Sequence, residues 1–187
     1  MPTEEAELSD GRLRKGMRRR RQLLDATMRV IERDGAGAVS QREVAREAGV
    51  PPSAVTYYFP TIDEMLVAAL TATNDTYLAR LEEFATAARP LELLAEMIAE
   101  ASDTHRAHTA AEYELFVMAA RRPDMREELS RWLDAIDAFL LPIVTDPVRR
   151  RGVSAAVDGL FLRTLSVGEG TDPADVLAVL ENLTRTP

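Results

Sequence analysis

The sequence predicts an all-α protein of about nine helices, in which an N-terminal three-helix helix-turn-helix unit precedes a larger helical body. Three observations carry this. Apolar residues recur at spacings of three and four along most of the chain, and strand alternation is absent. Helix starts are marked by capping boxes and by prolines. Between Arg46 and Phe59, the stretch REAGVPPSAVTYYF sets a glycine turn and two prolines between two short helical patterns.

The first helix is expected from about Met17 to Asp34, with Leu23, Leu24, Thr27, Val30 and Ile31 in one apolar stripe. Gly35 and Gly37 follow as C-cap and turn. Residues 1–16 are expected to form a disordered tail of mixed charge. Ser40-Gln41-Arg42-Glu43 reads as a capping box: Ser40 accepts from the backbone of Glu43, and Glu43 reaches back to Ser40. Val39 and Val44 occupy the staple positions. A short helix over about Gln41–Ala48 stops at Gly49, a residue suited to a left-handed turn. Pro51 stiffens that turn, and Pro52 opens the next helix, where its missing N–H has no partner to lose. This helix, to about Phe59, is too short to stand alone. Ala45, Ala48, Val50, Val55 and Phe59 are placed to pack it on its predecessor as a helix-turn-helix.

Thr61-Ile62-Asp63-Glu64 is a second capping box, opening a long helix to about Ala87. Pro90 starts another, to about Arg106. Helices over about 109–121, 124–141, 147–167 and 172–185 complete the body, and Asp146-Pro147 and Asp172-Pro173 each pair an N-cap acid with an N1 proline. The expected domains are the tail over 1–16, the helix-turn-helix over 17–62 and the helical body over 63–187.

Among the 187 residues there is no cysteine, which excludes disulfides and thiolate zinc sites. The start lacks the apolar core of a secretory signal, and no apolar run approaches the ~18 residues of a membrane span. A cytoplasmic protein without a membrane partner is expected. Net charge is −8, but residues 12–60 carry 11 Lys/Arg against 5 Asp/Glu, and residues 61–187 carry 12 against 22. A basic front on an acidic body points to an anionic partner for the front. The hydroxyl-rich outer face of the short helix from Pro52 suits insertion into a DNA groove.

The stretch RRRRQLLDATMRVIERDGAGAVSQREVAREAGVPPSAVTYYFPTIDEML, residues 18–66, resembles the DNA-binding domain of the tetracycline-repressor (TetR) family of bacterial regulators. The glycine after the first helix, the Val-Ser start, VAREAGV, the aromatic pair and Phe59 before PTIDEML all fall in register. In the body the likeness is one of helical layout, with AAVDGLFLRTL similar to the family's penultimate helix. Three positions depart from the family pattern. Thr56 replaces the commonest aromatic, Pro51 replaces a serine cap, and Ile62 replaces a phosphate-touching lysine. The arginine cluster at 18–21 could make up for that lost contact.

Site expectations follow. Tyr57 is the candidate for a phosphate hydrogen bond, with Tyr58 beside it. Pro52, Ser53 and Thr56 are candidates for base edges and thymine methyls. Ser40, Gln41 and Arg42, where backbone N–H groups gather, are candidate phosphate positioners. Arg18, Arg19 and Thr61 complete the expected DNA face, and Arg46 reads equally as a contact or a surface charge. The resemblance implies an effector pocket in the body. Tyr77, Leu81, Phe84, Met97, Ala101, His105, Tyr113, Phe116, Val117, Trp132, Ile136 and Phe139 are its candidates, each also readable as packed core. It also implies a homodimer through the last two helices, at Ala155, Ala156, Gly159, Leu160, Arg163, Val176, Leu177, Val179, Leu180 and Leu183. Asp103, His105, His108 and Glu112 do not form a convincing ligand set, so no metal is expected; nor is a cofactor. Phosphate loops, HExxH and nucleophile elbows are absent.

The expected function is a DNA-binding transcriptional regulator, a repressor released from a near-palindromic double-stranded operator by a small apolar effector. A ligand-independent DNA-binding dimer and a helical small-molecule carrier or enzyme are the alternatives.

Overall fold

The computed structural model describes residues 4–102, 105–167 and 170–185, with side chains described except at 4–10, 12 and 167. Among these residues the chain is helical and contains no strand. The helices are α1 (Glu4–Asp34), α2 (Gln41–Ala48), α3 (Pro52–Tyr58), α4 (Ile62–Ala85), α5 (Pro90–Glu100), α6 (Arg106–Ala119), α7 (Arg126–Leu140), α8 (Pro147–Val167) and α9 (Pro173–Thr184). Short 3-10 turns lie at Ala36–Ala38 and Pro123–Met125. No helix among the described residues is long and apolar enough to cross a membrane. The chain divides into two compact units, residues 1–69 and 70–187, so the division falls inside α4, a few residues beyond the expected one at 62/63.

In the first unit α1 begins at Glu4, so the stretch expected as a tail continues the helix. Glu, Ala, Leu and Arg are good helix formers, and periodicity is silent where no face is buried. Leu23, Leu24, Thr27, Val30 and Ile31 are all buried, which confirms the stripe. Gly35 caps the helix with φ 83°, conformational space open chiefly to glycine. The Ser40 hydroxyl accepts from Glu43 N at 3.2 Å, as expected. The reciprocal half of the box is not made, because the Glu43 carboxylate takes Arg46 instead. Gly49 adopts the left-handed conformation, φ 65°. Val44, Ala45, Val55 and Phe59 close the core between α1, α2 and α3.

In the second unit α5 packs most extensively on α9, with α8 against α5, α7 and α9. Leu94, Met97, Ile98, Ile136, Leu140, Val157, Val176 and Leu180 belong to one buried cluster. α5 stops at Glu100, six residues earlier than expected. The Ser102 hydroxyl turns back to Ala99 O at 2.8 Å, and its oxygen accepts from Thr171 N at 2.9 Å. Buried Arg150 pins the turn before α8 by donating to Asp137, Val144 O and Thr145 O. The two expected acid caps form: Asp146 accepts from Arg149 N and Asp172 from Ala174 N.

Candidate nucleic-acid interface and effector cavity

The outer face of α3 is open. Tyr57 is 80% exposed, with its ring edge-on to half-buried Tyr58 at 5.1 Å. Pro52, Ser53 and Thr56 are exposed beside it, while Val55 and Phe59 hold the helix from beneath. Pro51 supplies no side-chain cap; its carbonyl accepts from Ala54 N at 2.9 Å. Ile62, in the family's lysine position, is partly exposed and offers no charge to a phosphate. Arg18 and Arg42 are exposed. Arg19 donates to Gln22 Oε1, and Gln22 in turn donates to Ala48 O at 2.9 Å. Arg20, outside the expected set, lies over the Phe59 ring at 5.2 Å and so steadies the recognition element from α1.

Two expected DNA contacts have work within the protein. Gln41 Nε2 donates to Phe59 O at 3.0 Å and to Pro60 O at 2.9 Å, and its Oε1 accepts from the Thr56 hydroxyl at 3.2 Å. It therefore closes the C-terminal end of α3, where helix carbonyls lack partners. Thr61 is engaged as the cap of α4: its oxygen accepts from Glu64 N, and its hydroxyl faces Glu64 Oε1. Ser40 differs, since its oxygen accepts from Glu43 N while its own hydrogen can point outward.

Several cations of this unit are neutralised locally. Arg29 and Arg33 both bind Glu47, each at 2.8 Å, and hold its carboxyl below the usual range. Arg46, left open by the sequence, is paired with Glu43, and its guanidinium is held still more firmly protonated. Positive charge free of such ion pairs is thus concentrated toward the arginine cluster and the first turn of α2.

Within the second unit, side chains of α4, α6, α7 and α8 surround about 400 Å³ of empty space, part of it open to solvent. Tyr77, Tyr113, Phe116 and Trp132 line it, as expected, together with Leu70, Thr73, Asn74, Glu112, Asp158 and Phe161. Tyr77 donates to Glu112 Oε2 at 2.8 Å, and Trp132 Nε1 donates to Asp158 Oδ1 at 2.9 Å. His108 Nε2 lies 3.2 Å from Glu112 Oε1, one helical turn away. Burial raises the Tyr77 and Tyr113 phenols and the Asp158 carboxyl above their usual values.

The other expected pocket residues lie elsewhere. Leu81, Phe84, Ile136 and Phe139 are packed in the core. Met97 and Ala101 are core residues that also line, with His105, a neighbouring depression that shares Tyr77 and Glu112 with the cavity. Val117 is 65% exposed, on the outer face of α6. Asp103 lies outside the described residues, among which no group of three metal-ligating side chains occurs.

On the expected dimer helices, Ala155, Gly159 and Arg163 are exposed and Ala156 and Leu160 half-buried. Leu177 is half-buried, and Val179 and Leu183 are exposed. Val176 and Leu180 are corrected: both are buried in their own chain's core, because that face of α9 packs on α5. Leu162, 48% exposed, extends the open stripe of α8 and was not anticipated.

Comparison with known proteins agrees with this architecture. Residues 23–69 match the family described as bacterial regulatory proteins, tetR family, and residues 85–186 match the tetracyclin repressor-like C-terminal domain. The chain is 30% identical to the HTH-type transcriptional regulator BetI of Brucella anthropi, over 88% of this chain and 90% of that protein. A TetR-family member from Streptomyces coelicolor A3 superposes with a TM-score of 0.79 at 33% identity, covering 90% of this chain and 99% of the other. The multidrug binding protein EbrR complexed with ethidium superposes with a TM-score of 0.73 at 32% identity, covering 88% and 97%. The chain belongs to the TetR family and is a transcriptional regulator, not an enzyme.

Proposed function

We propose that the protein is a homodimeric repressor that binds a near-palindromic operator through α3 and is released by a small molecule held in the cavity of the second unit. The open, hydroxyl-rich face of α3, fixed from below by Val55, Phe59 and Gln41, carries the DNA half of this reading. Two copies would place their recognition helices in successive major grooves, with half-sites about 10 bp apart. Tyr57, Ser40 and Arg42 would meet phosphates; Ser53 and Thr56 would face base edges.

The dimer half rests on α8 and α9. Ala155, Gly159 and Leu162 follow one another at helical spacing on an open face of α8, and Val179 and Leu183, four residues apart, are exposed on α9. A Cβ at Gly159 would meet nothing within its own chain. A mid-helix glycine costs roughly 0.5–1 kcal/mol relative to alanine. Close approach by a second copy would account for it.

The effector half rests on the aromatic cavity and on the likeness to EbrR, whose structures hold ethidium, malachite green and proflavin. An effector that lowers operator affinity by a coupling of about 1–3 kcal/mol suffices for release. A reporter gene placed behind an operator selected from a random duplex library tests the reading. Expression should fall when the protein is supplied and recover with a cavity-binding compound. Expression that rises with the protein would reject repression, and expression indifferent to every cavity ligand would favour the ligand-independent dimer.

A further inference from the structure

We infer that α3 reads its operator through the C5-methyl group of thymine, with the γ-methyl of Thr56 as the specificity-determining contact and the Pro52 ring beside it. This rests on the proposed DNA-binding role of α3 and says which feature of a base that face can tell apart.

The first observation is what the recognition helix lacks. Residues 51–60, PPSAVTYYFP, include no Arg, Lys, Asn, Gln, Asp or Glu. Discrimination by hydrogen bonding in the major groove depends on those side chains: Arg or Lys on guanine, Asn or Gln on adenine, Asp or Glu on cytosine. The helix can make none of these contacts, so any guanine contact must come from outside it. Ser53 is exposed, but a hydroxyl both donates and accepts and so fits any base.

The second is where the polar hydrogens beside the face go. Gln41 Nε2 has two hydrogens and donates to two carbonyls, Phe59 O and Pro60 O. The Thr56 hydroxyl has one hydrogen, and the groups within its reach are both acceptors of the protein itself: Pro52 O and Gln41 Oε1, each at 3.2 Å. Neither side chain has a hydrogen left to give to a base. The Thr56 oxygen can still accept, but a lone acceptor does not tell the N6 amino group of adenine from the N4 amino group of cytosine.

The third is what remains outward. Pro52 and Thr56 are both exposed and stand four residues apart, one turn of α3, on the same side of the helix. With its hydroxyl turned back to Pro52 O and Gln41, Thr56 leaves its γ-methyl for the groove, and the pyrrolidine ring continues the strip. The methyl of thymine is the apolar group that a base offers there. Gln41 holds Thr56 from the side, and buried Val55 and Phe59 fix the helix from beneath, so little side-chain freedom is lost on contact.

The test uses the full-length protein and an operator selected from a random duplex library. Each thymine of the half-sites is replaced in turn by deoxyuridine, which removes only the methyl. At least one thymine per half-site should lose about fourfold in affinity, equivalent to ~0.8 kcal/mol for one buried CH₂, and symmetric replacement in both half-sites about 15-fold. Thr56→Ser removes the protein's methyl and keeps the hydroxyl; at that thymine it should abolish the preference for thymine over uracil. Thr56→Val keeps a methyl and loses the hydroxyl, and should retain the preference. Half-sites without a preferred thymine, uracil tolerated at every position, or a preference that Thr56→Ser leaves untouched would overturn the methyl readout while leaving DNA recognition by α3 standing. Failure to enrich any sequence would reject the proposed DNA-binding role, and this inference with it.

Discussion

Gln41 is the residue whose substitution separates a structural role from a DNA contact. Its amide donates two hydrogen bonds to the carbonyls that end α3, and its oxygen meets Thr56. Gln41→Ala removes the two donations. Each such bond is worth about 0.5–1.5 kcal/mol net, and the site is only half-buried, so water can partly replace the amide. The expected loss is about 1–2 kcal/mol, felt first at the end of the recognition helix. Amide hydrogen exchange reads it locally: the Phe59 N–H, bonded to Val55 O at 2.8 Å, should exchange roughly 5–30-fold faster. Gln41→Glu, which sets a carboxylate against two carbonyls, should be worse than alanine. If Gln41→Ala left exchange across α3 unchanged while weakening operator binding, the side chain would be acting on DNA and the reasoning here would be refuted.

Other outcomes follow from the same structure. Phe59→Ala should cost about 3–5 kcal/mol in chemical denaturation, because it empties a site beneath α3 and removes the ring under Arg20. Leu162→Arg together with Val179→Arg should yield a folded monomer by sedimentation, since both side chains are exposed within one chain and an unpaired charge is tolerated only in the absence of a partner. Asp158 gives a signed pH effect. Burial raises its carboxyl, with the indole hydrogen bond opposing more weakly, so the folded chain holds the proton more tightly than the unfolded one. Its contribution to stability is then greatest in acid and falls as pH rises from the ordinary Asp value of about 3.9 through the raised folded value. Asp158→Asn should gain on the wild type across that window, as pH-resolved thermal unfolding would show.

What could be read in the sequence depended on how local its cause was. Gly35, Gly49, Ser40 and the Asp-Pro starts act within a few residues of themselves, and the helices they bound lie close to where their spacing predicts. The α3 face was legible for the same reason. The bonds of Gln41 reach 18 and 19 residues ahead, and nothing in the local pattern announces them. The helical start at Glu4 was missed because periodicity detects a buried face and residues 4–16 present no apolar stripe. In the cavity the aromatics were found and Asp158 was not, since an acid on a helical wheel ordinarily marks the solvent side. One signal was available: Asp158 is the lone charge in VSAAVDGLFL, residues 153–162, where a surface acid would be out of place. Val176 and Leu180 went to the wrong partner because an apolar stripe does not say which surface covers it; α5 does.

The most direct test is selection of bound sequences from a random duplex library by the purified full-length protein at low and moderate salt. Enrichment of a near-palindrome with half-sites about 10 bp apart, weakened by substitution of Tyr57 or Ser53, is the expected result. Binding that stays indifferent to sequence, or a site without two-fold symmetry, would mean that the α3 face does not read DNA as a dimer.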